Sequence, residues 1–210
     1  MSVLQEINLL IQQGRGKKVC ELIQSALGEG TTPREVLDEM LSAMNDVGIK
    51  FKNNEVFVPE VMLAARAMNM GMTVLKSSMT ESDLKPAGTV VIGTVHGDMH
   101  DIGKNLVKMM IESKGLRVID LGVDVAAERF VEAAQENNAN VICCSALLTT
   151  TMGEIKNILT LLDEKHLRDT YKVMIGGAPL SQAYCDAIGA DCYTADAASA
   201  AEAAERLCRV

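Results

Sequence analysis

Two histidines and two aspartates crowd one short stretch, Val95-His96-Gly97-Asp98-Met99-His100-Asp101-Ile102-Gly103-Lys104-Asn105. Within it sits Asp98-x-His100-x-x-Gly103. A carboxylate two residues from an imidazole can hold one ring nitrogen while the other faces a metal. The glycine lets the backbone come close to a flat ligand or bend into a following helix. Taken alone, the motif also has a blander reading, with Asp98 capping that helix and His100 a solvated loop residue.

The elements around the motif decide between the two. A β-branched run, Thr89 to Val95, precedes it, and a helical pattern opens near Lys104. The histidines therefore sit on a turn at the carboxyl end of a strand, the edge where open α/β sheets bind ligands. Strand-like runs recur at Val90–Val95, Arg117–Leu121, Asn140–Ser145, Lys172–Ile175 and, briefly, Asp191–Thr194. Helical patterns fall between and after them, near 104–114, 126–138, 152–166, 180–188 and 197–208. Five βα units with strands buried on both faces predict a doubly wound parallel sheet. The expected strand order is the flavodoxin-like (Rossmann-like) 2-1-3-4-5, with its crevice where strands one and three meet.

Two more turns on that edge carry unusual residues. Strand three runs into Ser145-Ala146-Leu147-Leu148-Thr149-Thr150-Thr151, a hydroxyl cluster, and strand four into Gly176-Gly177-Ala178-Pro179, where missing side chains leave a slot. A hydroxyl run can merely cap a helix, and a glycine pair can merely turn. Three such turns on one edge point to a ligand.

Residues 1–85 are helical throughout. Apolar stripes run over Leu4–Ile11, Val19–Leu27, Val36–Val47 and Val61–Leu75, with Thr32-Pro33-Arg34-Glu35 as a helix start and Gly48 as a helix end. Four helices on short connections predict a small antiparallel bundle. Its methionines read as core filler, whereas Phe57, at the start of a helix in a chain with three Phe, three Tyr and no Trp, stands out. The polar stretch Glu81–Gly88 is the expected linker, dividing a cap over 1–85 from an α/β domain over 89–210.

Composition excludes several classes of partner. Acidic residues outnumber basic ones, 28 to 20, for a net charge of −8. Nucleic-acid binding rests on clustered Lys and Arg, so none is expected. No apolar run approaches a membrane span, and the amino terminus lacks a signal peptide's basic start, which places the chain in the cytoplasm. Six cysteines without a CxxC pair read as buried free thiols.

Together, Asp98-x-His100-x-x-Gly103, Ser145-x-Leu147 and Gly176-Gly177 resemble the signature of cobalamin-binding domains. Forty-one residues separate Gly103 from Ser145 and twenty-eight separate Leu147 from Gly176, the gaps that family shows. Met44-Asn45-x-Val47-Gly48-x-x-Phe51 and Val56-Phe57-Val58-Pro59 resemble the helical cap preceding this domain in methionine synthase. The whole chain resembles the stand-alone corrinoid proteins of methylamine, methanol and methoxyarene methyltransferase systems.

The resemblance implies a corrinoid cofactor, cobalamin or a related cobamide, lying between cap and sheet. Its own base leaves cobalt and threads past Ser145 and through the slot at Gly176-Gly177. His100 replaces that base as lower cobalt ligand through Nε2, Asp98 accepts from the other ring nitrogen, and Thr151 stands where a serine completes the relay in methionine synthase. Neighbouring Thr149 and Thr150 leave that last assignment open. Gly97, Met99, Asp101, Ile102, Gly103, Leu147 and Thr149 would line the lower face, and Phe57, Val58, Pro59 and Met62 would cover the upper, methyl-bearing face.

Co(I) takes a methyl cation equivalent to give methyl-Co(III), which passes the carbon on; only the second form accepts an axial ligand, a change the His100–Asp98 pair can follow. No residue is placed to activate a methyl donor, so the chain is expected to be a carrier and not a complete enzyme. Its implied partners are a substrate:corrinoid methyltransferase and a methylcorrinoid:tetrahydrofolate or methylcorrinoid:thiol methyltransferase, with room for a reductive activation protein. A corrinoid sensor and the small subunit of an adenosylcobalamin mutase share the cofactor. The sensor lacks support in this acidic, tryptophan-free chain, and the mutase subunit would not carry this cap. A flavodoxin-like domain with some other ligand is the third alternative.

Overall fold

Capping chemistry starts two of the four amino-terminal helices in the computed structural model, which describes residues 2–79 and 86–209. Helix α1 (Val3–Gln12) follows Ser2, whose hydroxyl accepts from Gln5 N–H while the Gln5 side chain accepts from Ser2 N–H. Helix α3 (Pro33–Lys52) repeats the device with Thr32 and Glu35 and has proline in its first turn. Between them lies α2 (Gly16–Gly28), and α4 (Val58–Lys76) completes the set. Their apolar stripes meet in one core in which Ile7, Ile11, Ile23, Val36, Met40 and Leu75 are fully buried. The helix expected to stop at Gly48 continues to Lys52. Gly48 is buried, and the stop comes at Asn53 and at Asn54 with φ 59°, after Lys50 and Lys52 have placed positive charge on the last turn.

The chain divides into two units, Met1–Lys85 and Pro86–Val210. Of the expected linker, Glu81–Lys85 lies outside the described residues.

The second unit holds five parallel strands: β1 (Thr89–Thr94), β2 (Arg117–Asp120), β3 (Val141–Ser145), β4 (Lys172–Gly176) and β5 (Cys192–Tyr193). Their order is β2-β1-β3-β4-β5, as the alternation of strands and helices predicts. Every residue of β1 is buried, which explains a β-branched run without polar alternation. Side chains alternate between two cores. Val91, Ile142, Val173 and Ile175 face one that includes Phe130, Val131, Ile155 and Ile158 from α6 (Ala127–Glu136) and α7 (Gly153–Glu164). On the other face lie α5 (Ile102–Glu112) and α9 (Ala197–Cys208), packed on each other; α8 (Gln182–Ile188) precedes β5. Among the described residues no helix is long and apolar enough to cross a membrane. All six cysteines are free, but only Cys143, Cys144 and Cys185 are buried; Cys20, Cys192 and Cys208 are partly exposed. Burial pushes the Cys143 thiol up to about 12, so it stays protonated and serves as core.

Candidate functional site

Parallel pairing brings three loops out of one edge side by side. Thr94, Ser145 and Gly176 are register partners at the carboxyl ends of β1, β3 and β4. The ladder runs on past them, with Val95 N–H donating to Ser145 O (3.0 Å) and Ala146 N–H to Gly176 O (3.2 Å). At Gly177 (φ 140°) a Cβ would fall 1.9 Å from Ala146 O. The sequence suggested an open slot there. Instead the space is filled by backbone, and glycine is needed so that the loop after β3 can lie against the loop after β4.

Asp98 is the centre of this edge and is fully buried. An unpaired buried carboxylate would be destabilising by several kcal/mol, and five donors converge to offset that. Oδ1 accepts from His100 Nδ1 (2.7 Å) and His100 N–H (3.1 Å). Oδ2 accepts from Leu147 N–H (2.7 Å), Leu148 N–H (3.3 Å) and the Thr151 hydroxyl (3.0 Å). Burial pushes the Asp98 pKa up, but Leu147 N–H, the His100 ring and N–H and the Thr151 hydroxyl outweigh it. The net shift is well below the usual carboxylate range. Asp98 does not cap α5, which begins at Ile102 after Asp101.

The partners fix the chemistry of the imidazole. An ionised carboxylate only accepts hydrogen bonds, so Nδ1 carries a proton, and in the neutral ring the lone pair lies on Nε2. The ring is half exposed, at 51%, and the Thr94 hydroxyl holds the His100 carbonyl at 2.8 Å. Of the three threonines, Thr151 is the one that reaches Asp98; it is 6% exposed, whereas Thr149 and Thr150 are exposed. Its hydroxyl lies equally near Leu148 O, 3.0 Å, but a carboxylate is the stronger acceptor.

The turn is tied down from two further sides. Asp124, in the loop after β2, accepts at Oδ1 from Gly97 N–H (2.7 Å) and His96 Nδ1 (2.8 Å). Its own N–H donates to Asp98 O (3.0 Å). The Gly97 N–H lowers the Asp124 pKa, burial opposes it, and His96 adds to the lowering. Lys104, buried under α5, donates to Asp120 Oδ1 (2.6 Å) and Asn105 Oδ1 (2.8 Å) and so pins the helix to the end of β2. A cleft of about 340 Å³ against α6 and α7 is lined by His96 but by neither Asp98 nor His100.

Beside His100 several large apolar side chains are exposed. Met99 and Ile102 are 69% and 80% exposed, and Leu147 and Leu148 are 40% exposed. Large apolar side chains grouped on a loop edge mark a surface that something covers. At Gly103 a Cβ would meet nothing within 4 Å, so the packing of the protein itself does not require glycine there. Among the described residues no three His, Cys, Asp or Glu side chains converge as a bare ion needs. One imidazole suits a metal that arrives with its own equatorial ring of donors, and this edge fits a corrinoid. In the helical unit, Phe57 (63% exposed), Pro59 and Met62 are exposed and Val58 half-buried. Phe57 N–H donates to the Glu60 carboxylate at 3.0 Å, which fixes the start of α4.

The sequence reading passed over Leu148, Lys104 and Asp124. Leu148 had a signal, since it neighbours Leu147. Lys104 had none, since helical lysines are ordinarily solvated. Asp124 had none either, because Gly122-Val123-Asp124 resembles any turn after a strand.

Comparison with known proteins identifies the family. The B12 binding domain family matches residues 88–207, and a second family of the same description matches residues 3–76. A dimethylamine corrinoid protein of Methanosarcina barkeri is 44% identical over 207 residues, 98% of this chain and 97% of that one. A corrinoid protein of Desulfitobacterium hafniense is 43% identical over 213 residues, 99% of this chain and 98% of that one. Among solved structures, the methanol:cobalamin methyltransferase complex MtaBC of Methanosarcina barkeri superposes with a TM-score of 0.88 at 30% identity, covering 98% of this chain and 79% of that one. A cobalamin-binding protein of Desulfitobacterium hafniense gives 0.83 at 27% identity, covering 97% and 98%. With an imidazole presented on an apolar sheet edge and relatives matched along nearly its whole length, the chain belongs to the B12-binding corrinoid proteins of methyltransferase systems.

Proposed function

We propose that the chain is a methyl carrier. It holds a corrinoid with His100 as lower ligand and moves a methyl group from a substrate:corrinoid methyltransferase to a second methyltransferase, which hands it to tetrahydrofolate or a thiol. When bound, the corrinoid supplies a cobalt that takes up the methyl group as Co(I) and carries it as methyl-Co(III). The residues of the chain do the rest. Asp98 keeps the proton on Nδ1 and so points the Nε2 lone pair outward. Leu147 N–H, Leu148 N–H and Thr151 keep Asp98 ionised. Met99, Ile102, Leu147 and Leu148 exclude water from the lower face, beside the open space at Gly103. Ser145 and Gly176 are assigned to the path of the cofactor's tail, and Phe57, Val58, Pro59 and Met62 of the helical unit to its upper face.

One observation carries this reading: His100 Nδ1 held by a buried, ionised Asp98 at 2.7 Å, with the ring half exposed on an apolar edge. The relatives named for dimethylamine make a methylamine the methyl donor we infer, and its methyltransferase the first partner. The test reconstitutes the protein with hydroxocobalamin, reduces it, and offers it separately to methyltransferases for dimethylamine, methanol and an aryl methyl ether. Methylation of the bound corrinoid in the dimethylamine arm is the expected result, with the imidazole-bound spectrum of the methylated form absent in His100→Ala. Methylation only in another arm overturns the donor. Failure to take up corrinoid, or uptake without methylation in any arm, overturns the carrier reading.

A further inference from the structure

The loop after β2 grips the turn that carries His100. Asp124 meets the turn at two points. Its carboxylate takes Gly97 N–H at 2.7 Å and its N–H gives to Asp98 O at 3.0 Å. These bonds fall on the residue before Asp98 and on Asp98 itself. Asp98 N–H in turn donates to Val95 O (3.1 Å), closing a tight turn whose third residue, Gly97, has φ 77°. Gly97 N–H points out of that turn and takes its acceptor from Asp124.

Asp124 also stands at φ 54°, a conformation that disfavours most side chains and is tolerated best by Asn, Asp and Gly. A backbone held in a sparse region usually serves a constraint that the surroundings impose. Here the constraint is visible. The left-handed turn at Asp124 lets its side chain and its own N–H reach the same short segment, and Val125 N–H then rejoins β1 at Thr94 O (3.0 Å). His96 shares Oδ1 at 2.8 Å, but both partners are about half exposed, at 63% and 48%, where an ion pair contributes little.

We propose that Asp124 is a positioning residue for the cobalt-binding imidazole. Through the Gly97 N–H it fixes the turn from which Asp98 and His100 project, so that the ring is in place before the cofactor arrives. The inference rests on His100 being the lower ligand.

The experiment compares Asp124→Ala, Asp124→Gly, Asp124→Asn, His96→Ala and His100→Ala with the unaltered full chain, at one fixed pH near neutral. Two readouts are taken. In the protein without cofactor, the hydrogen-exchange rate of the Gly97 amide is followed by NMR. After loading with cobalamin, the visible spectrum gives the ratio of imidazole-bound to imidazole-free cofactor. Asp124→Ala and Asp124→Gly are expected to speed Gly97 exchange and lower the ratio about tenfold, equivalent to about 1.4 kcal/mol. Asp124→Gly removes the left-handed strain as well, so a loss equal to that of Ala assigns the effect to the carboxylate. Asp124→Asn keeps an acceptor oxygen and is expected to stay within about twofold of the unaltered protein, as is His96→Ala. An unaltered ratio in Asp124→Ala and Asp124→Gly, even with lower thermal stability, would reduce Asp124 to a structural residue and overturn the proposal. A loss in His96→Ala equal to that in Asp124→Ala would overturn the route through Gly97. If the unaltered protein and His100→Ala give the same spectrum, the ligand assignment fails instead, and the Gly97 exchange data still report on the brace.

Discussion

Replacing Asp98 by Asn tests the tautomer argument more sharply than removing the side chain does. Five donors converge on the Asp98 carboxylate, two on Oδ1 and three on Oδ2. An amide has one accepting oxygen and one donating nitrogen. The oxygen belongs on the three-donor side, where Leu147 N–H stands at 2.7 Å. The amide nitrogen then faces His100. Its backbone N–H loses an acceptor, an unpaired group worth about 1–3 kcal/mol. The ring can adapt only by accepting at Nδ1, which moves its proton to Nε2 and removes the lone pair a metal needs. The same logic governs an Asp-to-Asn exchange in a Ser-His-Asp triad.

The bonds that remain change from charge-assisted to neutral, with roughly half the strength, so the expected loss of stability is about 3 kcal/mol. Holding the ring in the ligating tautomer against that amide adds an opposition of similar size. The imidazole-bound share of cobalamin should therefore fall by about a hundredfold, equivalent to about 2.7 kcal/mol. Asp98→Ala lacks the misdirecting amide and should keep a larger imidazole-bound share than Asp98→Asn, although Asn is closer to Asp in shape. The assays are the visible spectrum of the loaded protein and urea unfolding of the protein without cofactor. An Asn variant that binds imidazole-on as well as the Ala variant refutes the reasoning. The pH dependence has a definite sign. Asp98 ionises at lower pH when folded than when unfolded, so its contribution is complete above the ordinary carboxylate pKa of about 4 and drains away below it. Asp98→Asn should flatten that acid limb.

Thr151→Val should destabilise the protein by about 1–2 kcal/mol in urea unfolding, because one of five donors to a buried charge is lost, and Thr151→Ser should recover most of it. Gly177→Ala should destabilise by about 3 kcal/mol or more, since its Cβ would fall 1.9 Å from Ala146 O, where backbone must move; a stability within 1 kcal/mol of the unaltered protein, roughly the size of an ordinary surface change, contradicts the packing argument. Gly103→Ala should do the reverse of a core lesion. A Cβ there meets nothing within 4 Å and alanine favours the helix, so the protein without cofactor should be at least as stable. Cobalamin uptake should weaken, and equal uptake would remove Gly103 from the binding surface.

Much of this was legible because periodicity and spacing are local. The uninterrupted apolar run of β1, the polar breaks after each strand and the position of Asp98 and His100 two apart gave the sheet order and the hydrogen-bonded Asp98–His100 pair. Distance along the chain hid the rest. Asp98 and Thr151 are 53 residues apart, and choosing Thr151 over Thr149 and Thr150 required the loop conformation that buries one hydroxyl and exposes the others. Gly177 looked like an opening because a sequence shows a missing side chain but not the Ala146 backbone that fills its place. Asp124 was invisible because its value lies in a backbone angle and in two N–H groups, neither of which residue type discloses.

The account stands on the ring nitrogen of His100 being the axial donor to cobalt, and isotopic labelling tests that directly. The protein is prepared with ¹⁵N-histidine, loaded with unlabelled cobalamin and reduced to the Co(II) form, and its electron paramagnetic resonance spectrum is recorded. Coupling to a protein imidazole predicts that each cobalt line appears as a doublet in the labelled protein and as a triplet in the unlabelled one, with neither pattern in His100→Ala. A triplet that persists in the labelled protein would mean that the cofactor's own base still holds the metal, and the role given to Asp98, Thr151 and Asp124 would fall with it.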